Sequence, residues 1–281
     1  MSEAGFGYIL KHPNRVASAL FTDPVGLWDT LQDRLIQKRE YTARPPYRAD
    51  ADREWEINLY PLLGALPVRG TGEFRTLWAE VVRSVKARGI DVGPMSYAGY
   101  NDGDTALVRA IWRVVRQIRP ERVVETGVAH GFSSRFILEA LARNGIGKLW
   151  SIDRPPLDPE TRRKVGVAVE GRHLDRWTLI RKSSRRGLPG LMKRLGQIDL
   201  FIHDSLHTER NVVFELEQAW SALRPGGVAI VDDIDSNWGF DAFAKKHKDF
   251  RVLICEAEPV RPDDRRFNHK GLFAILVKNR G

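Results

Sequence analysis

The sequence predicts an α/β fold: a seven-stranded, mostly parallel sheet with helices on both faces, closed by an antiparallel C-terminal hairpin and preceded by a mainly helical extension. Two observations carry this. From residue 104 on, short β-branched apolar runs alternate with stretches whose apolar residues recur every three to four positions, the pattern of strands joined by helices. Acidic residues then fall where those strands end, at Glu125, Asp153, Asp204, Asp232 and Asp233, which gathers them at one edge of a parallel sheet.

Residues 1–103 lack this repeat and read as an N-terminal extension, with 104–281 as the main domain. Asp23 suits an N-cap and Pro24 a first helical turn, so a helix is expected from there to about Glu40. Residues 43–50 break periodicity and read as a linker or an extended strap. A second helix is expected over 73–88, where Phe74, Leu77, Trp78, Val81, Val82 and Val85 share a face and Gly89 stops it. The extension reads equally as a lid, a cover for the sheet or a dimerisation arm.

In the main domain Asp104 caps a helix through Gln117, with Leu107, Val108, Ile111, Trp112 and Val115 facing inward. Pro120 ends it, the first strand runs to Glu125, and a helix-like run covers 135–142. Further strands are expected at 148–153, 177–180, 198–204 and 228–231. Between them Asp158 and Pro159 open one helix, glycine breaks a short one over 188–195, and a long one spans 208–223 before a Pro-Gly-Gly turn. A helix near 240–246 precedes two last strands, 250–256 and 272–277, joined by a long polar loop over 258–270.

A chain of 281 residues, 42% hydrophobic, is large enough for a full core. Its single cysteine, Cys255, excludes an internal disulfide and fits a reducing compartment. No run is long enough to span a bilayer and the start is not signal-like, so a cytoplasmic protein is expected. The net charge of +9, from 45 basic and 36 acidic residues, is spread over short clusters without interleaved aromatics. Those clusters read as solvated faces, or as a surface for an anionic partner such as nucleic acid, an acidic glycan or a membrane.

The stretch 122–132 carries the chemistry. Val123 and Val124 run into a turn containing Gly127 and Gly131, and Ser133 and Ser134 open the next helix. Free N–H groups at a helix N-terminus favour an anionic ligand group, while Glu125 at the mouth would repel a dinucleotide's pyrophosphate. A ligand that carries a cation and a carboxylate together, such as the methionine end of S-adenosylmethionine, suits that combination. The pattern resembles motif I of the class I S-adenosylmethionine-dependent methyltransferases, with Gly127 and Gly131 as the outer glycines and Ala129 in place of the middle one. The element order over about 104–278 is similar to their Rossmann-like seven-stranded arrangement. The resemblance implies that Glu125, Gly127, Gly131 and Ser133 contact the cofactor. It also implies that Asp153 accepts hydrogen bonds from the ribose hydroxyls and that Ser183 helps on the adenine side. A turn or capping acid is the plain alternative for Asp153.

Asp204, Asp232 and Asp233 form a second constellation. Adjacent strands lie about 4.8 Å apart, so carboxylates at neighbouring ends can converge on one ion. Oxygen donors without cysteine suit a hard cation such as Mg2+. The arrangement resembles metal-dependent O-methyltransferases of the catechol type. It is similar, more closely, to the relatives grouped with cephalosporin hydroxylase and macrolide-sugar O-methyltransferases. In those an acid closes strand four, a histidine follows three residues on, and an acidic pair closes strand five; Asp204, His207 and Asp232-Asp233 match. Helix capping by Asp204 and loop hydrogen bonding by the pair are the alternative. His207 reads as the general base for a substrate hydroxyl, kept neutral by a helix N-terminus, or as an ordinary capping histidine. His203 reads as a packing or orienting residue, His130 as a neighbour of the ligand, and Trp238 and Phe240 as an acceptor wall or as core.

The expected function is methyl transfer from S-adenosylmethionine, assisted by Mg2+, to a hydroxyl of a small-molecule or carbohydrate acceptor, with Asp204 and His207 catalytic. The acceptor's charge is open, and an anionic one is compatible with the basic surface. Two other readings stay open: a nucleic-acid methyltransferase, and a non-catalytic protein that keeps the cofactor fold for binding. The first lacks an N-P-P-[YF] tetrapeptide and a recognisable RNA-binding module in this sequence. A homo-oligomer is compatible with all three.

Overall fold

The computed structural model describes residues 20–21, 23–40, 45, 47–66, 71–97, 104–258 and 271–280. The strands are β1 (Arg122–Thr126), β2 (Lys148–Asp153), β3 (Trp177–Arg181), β4 (Ile198–His203), β5 (Leu223–Val231), β6 (Phe250–Glu256) and β7 (Leu272–Lys278). They form one sheet in the order β3-β2-β1-β4-β5-β7-β6. The first five are mutually parallel, and β7 runs antiparallel between β5 and β6. From β1 the chain winds outward to β3 and then returns to place β4 on the other side. That reversal leaves a crevice beyond the carboxyl ends of β1 and β4.

The helices are α1 (Pro24–Arg39), α2 (Trp55–Leu63), α3 (Thr71–Lys86), α4 (Thr105–Ile118), α5 (Phe132–Asn144), α6 (Pro159–Lys164), α7 (Ser184–Leu195), α8 (Glu209–Ala222) and α9 (Gly239–Lys246). The two-residue period of the strands divides the core. Val123, Leu200 and Ile230 pack with α4 and α5 on one face, while Val124, Phe201 and Val231 pack with α7, α8 and α9 on the other. Burying each such side chain contributes roughly 1.5–3 kcal/mol.

Among the described residues, segments before residue 104 pack on those after it at several points. Asp52 bridges to Cys255, and Trp55 of α2 meets Phe273 edge-on at 5.5 Å. Phe74 and Trp78 of α3 pack on Phe136 and Phe132 of α5, at 4.9 and 5.4 Å. Helix α1 lies across the strand ends, held by Asp33 to Arg154 and Asp29 to Arg186, both at 2.6 Å.

Several boundaries differ from the sequence expectation. Helix α7 starts at Ser184 rather than 188, with Gly187 and Pro189 both inside it. Strand β5 begins at Leu223, with a register shift between Ile198 and Leu200, so the Pro-Gly-Gly turn lies within the strand. Helix α2 has no counterpart in the sequence reading; Pro61 sits inside it and Gly64, with φ of +65°, ends it. Of the expected linker, 47–50 form a 3-10 turn, and residues 43, 44 and 46 lie outside the described residues, as do 259–270 of the polar loop. No helix among the described residues is long and apolar enough to cross a membrane.

Candidate active site

Beyond β1 the chain turns over itself at Gly127, whose φ is +86°. A Cβ there would lie 1.7 Å from the carbonyl oxygen of Asp204, so only glycine lets the ends of β1 and β4 meet. Gly131, at φ +87°, also approaches another backbone closely: a Cβ would sit 2.9 Å from the Cα of Gly166. Ala129, in the middle-glycine position, takes the left-handed conformation at φ +48°. Its N–H donates to the Asp153 carboxylate at 3.2 Å, and its carbonyl accepts from Gly166 N–H at 2.9 Å. The turn is thus held from both sides, which offsets the roughly 1–2 kcal/mol that alanine loses in that conformation.

Glu125 does not stand at the mouth of this turn. It follows Val123 by two positions, so it points to the same face, beneath α5, and is fully buried. Ser133 Oγ donates to one carboxylate oxygen at 2.5 Å, while Ser134 Oγ at 2.6 Å and Ser151 Oγ at 2.7 Å donate to the other. Burial pushes its pKa up and the three serine hydroxyls oppose that shift. Glu125 and Ser133 therefore fasten the start of α5 to β1 and β2, and the turn above them presents backbone. Asp153 closes β2 next to it. Burial draws its pKa up to about 7, against the N–H groups of Ala129 and Val128 and the charge of Arg154.

The second half of the site abuts the first. Asp204 N–H donates to Thr126 O at 3.0 Å and Asp232 N–H to His203 O at 2.9 Å, so pairing continues past the ladder and sets the two acids side by side. Their carboxyl groups share a hydrogen bond, and burial together with the neighbouring Asp233 holds both pKa values well above the usual carboxylate range. Asp204, Asp232 and His207 present one ligand atom each within 4.8 Å of one another. Asp233, at φ +51°, turns outward and is half exposed. His207 Nε2 lies 3.7 Å from Asp204 Oδ1 and 3.8 Å from Asp233 Oδ2, beyond hydrogen-bond length. Burial lowers the pKa of His207. A divalent cation fits this donor set, because it would replace the proton that the crowded carboxylates now share. The structure thus gathers Asp204, Asp232 and His207, and leaves Asp233 at their edge.

The remaining expected residues fall as follows. His207 sits one residue ahead of Thr208, which caps α8. Ser183 is buried at the N-cap of α7, where its Oγ accepts from Arg186 Nε at 3.3 Å. His130 is buried, its ring meeting Tyr97 edge-on at 5.0 Å. Phe240 is core, packed on Tyr47 at 5.5 Å, while Trp238 is half-buried at the start of α9. Two acids near the notch were not expected there: Asp104, read only as a helix cap, and Glu215. Asp104 caps α4 through Ala106 and Leu107 N–H, yet it also faces Asp233, and burial raises its pKa to about 7. Glu215 lies under β4, fully buried; its signal was a charge set between Val212, Leu216 and Ala219 on the apolar stripe of α8.

A family profile described as "Methyltransferase domain" matches residues 124–234, which span the glycine turn and both acidic groups. Among solved structures, cofactor-bound Rv0187 from MTB is similar at 17% identity and a TM-score of 0.53, over 73% of this chain and 90% of that one. The O-methyltransferase TomG from Streptomyces achromogenes, involved in tomaymycin synthesis and solved with SAM, is similar at 14% identity and a TM-score of 0.52, over 81% and 97%. An O-methyltransferase from Bacillus cereus in complex with SAH is similar at 12% identity and a TM-score of 0.50, over 81% and 98%. At such identities these likenesses establish the fold. No curated protein matches the chain in sequence.

Proposed function

We propose that this chain is a class I S-adenosylmethionine-dependent methyltransferase, a reading supported by its sheet order and by the methyltransferase-domain profile over residues 124–234, and that it methylates a hydroxyl of a small-molecule or carbohydrate acceptor with the help of a divalent cation. One observation carries the reading: the cofactor turn and the acidic notch touch, at Gly127 and the backbone of Asp204. A methyl group presented above that turn would face His207 and the Asp204–Asp232 pair.

In this reading Asp153 holds the ribose, and the backbone of residues 127–131 cradles the methionine end. His207, kept neutral by burial, takes the proton of the acceptor hydroxyl, and Asp233 at 3.8 Å steadies the imidazolium that forms. S-adenosylmethionine, when bound there, would supply the methyl group to that oxygen and leave as S-adenosylhomocysteine once its sulfur–methyl bond breaks. The protein's main contribution is to align the two and exclude water. A divalent cation held by Asp204 and Asp232, with Asp233 beside it, would lower the hydroxyl's pKa when bound. Helix α1 is tied by Asp33 to Arg154, next to Asp153.

The test is transfer of labelled methyl from S-adenosylmethionine to a panel of phenolic and sugar hydroxyls. EDTA is expected to lower turnover at least about 100-fold and added Mg2+ to restore it. Turnover that ignores EDTA removes the cation from the account, and methylation of RNA alone removes the small-molecule or carbohydrate acceptor.

A further inference from the structure

Glu215 is the most elaborately held side chain beneath the site, and the reaction as described leaves it without a task. It is fully buried. Oε2 accepts from Thr126 Oγ1 at 2.5 Å and meets His203 Nδ1 at 2.6 Å, while Oε1 accepts from Ser205 Oγ at 2.8 Å and Asn211 Nδ2 at 2.9 Å. Each partner borders the crevice: Thr126 ends β1, His203 ends β4, Ser205 follows Asp204 and Asn211 lies in the first turn of α8. Burying a carboxylate costs several kcal/mol, and an apolar side chain in its place is often no less stable. A fully satisfied buried network fixes geometry instead.

The geometry to be fixed is that of His207. Its Nδ1 is buried and has no hydrogen-bond partner among the described residues, so no bond of its own sets the ring. What meets the ring is His203, edge-to-face at 5.5 Å with an interplanar angle of 85°. His203 is itself fully buried, with Nδ1 on Glu215 and no hydrogen-bond partner for Nε2 among the described residues. A proton on Nδ1 donated to Glu215 fixes both the tautomer and the tilt of that ring.

We propose that Glu215 and His203 are positioning residues: the carboxylate locks the His203 ring, and that ring holds the His207 imidazole with Nε2 toward the acidic notch. This rests on the reading of His207 as the base. The test is a double-mutant cycle with the full chain and an acceptor from the panel above. Glu215→Gln is expected to lower kcat about 10- to 100-fold while the dissociation constant for S-adenosylmethionine stays within about twofold. In a His207→Gln background the same change should produce no further loss, because the ring it positions is gone. An equal loss in both backgrounds overturns the proposal. His203→Asn, which removes the ring contact directly, should show the same non-additivity should Glu215→Gln fold poorly. Imidazole nitrogen NMR of the cofactor-loaded protein, without acceptor, gives a readout independent of turnover. The His207 resonances should shift or broaden in Glu215→Gln, and unchanged His207 resonances overturn the proposal. If the wild type transfers no methyl but the resonances move, the base reading falls and the positioning contact stands.

Discussion

Gly127→Ala is expected to cost more than about 4 kcal/mol and to lower Tm by roughly 10 °C or more, with loss of S-adenosylmethionine binding. Two effects add. An alanine at φ +86° takes the left-handed conformation, worth about 1–2 kcal/mol. Its Cβ would also stand 1.7 Å from the carbonyl oxygen of Asp204, a backbone atom that no rotamer change can move. Relief requires the ends of β1 and β4 to separate, which pulls the cofactor turn away from the notch. Gly145→Ala is the control: its φ is +73°, but a Cβ there meets nothing within 4 Å, so it should show the conformational cost alone. Thermal denaturation of both variants separates the terms, and equal stability would mean that the close approach of the two strands is not what glycine is needed for.

His207→Gln is expected to lower kcat by about 10²–10⁴, or roughly 3–5 kcal/mol of barrier, with cofactor affinity unchanged. Glutamine keeps a polar atom near the notch but cannot take a proton at neutral pH. The same variant distinguishes two roles that the geometry allows, because Asp204, Asp232 and His207 also fall within ligand distance of one another. Mn2+ affinity by electron paramagnetic resonance should survive the substitution when His207 is the base, and should fall together with kcat when it is a ligand. A kcat within twofold of wild type would exclude both.

The alternation of strands and helices, the acids at the strand ends and the Asp104 cap were legible in the sequence because each is a local signal: period, capping chemistry, the position of a charge after an apolar run. The inward direction of Glu125 is legible as well, since it follows Val123 by two positions and so shares its face. Other features depend on contacts between segments far apart in the chain. Nothing local indicates that Gly127 is pressed against Asp204, or that Asp233 turns outward at φ +51° and leaves its place to His207. Helix α1 reads as a helix from its Asp23 cap, but its seat over the strand ends depends on Asp29 and Asp33 finding Arg186 and Arg154. Glu215 announces itself only as a charge on an apolar stripe, and the side chains that hold it come from segments as far apart as β1, β4, the loop after β4, α7 and α8.

Calorimetric titration of S-adenosylmethionine at pH 6 and pH 8 tests most directly whether the nucleoside lies over β1 and β2. An ionised Asp153 accepts the ribose hydroxyls' hydrogen bonds more strongly, and its pKa stands at about 7 in the free protein, so binding should release a proton and tighten as pH rises. Between pH 6 and pH 8 the ionised fraction, and with it the affinity, should rise about tenfold. Asp153→Asn should lose that step, and Asp153→Ala should weaken binding at pH 8 by at least about 30-fold. Wild-type affinity in Asp153→Ala, at both pH values, would place the cofactor elsewhere and contradict the account.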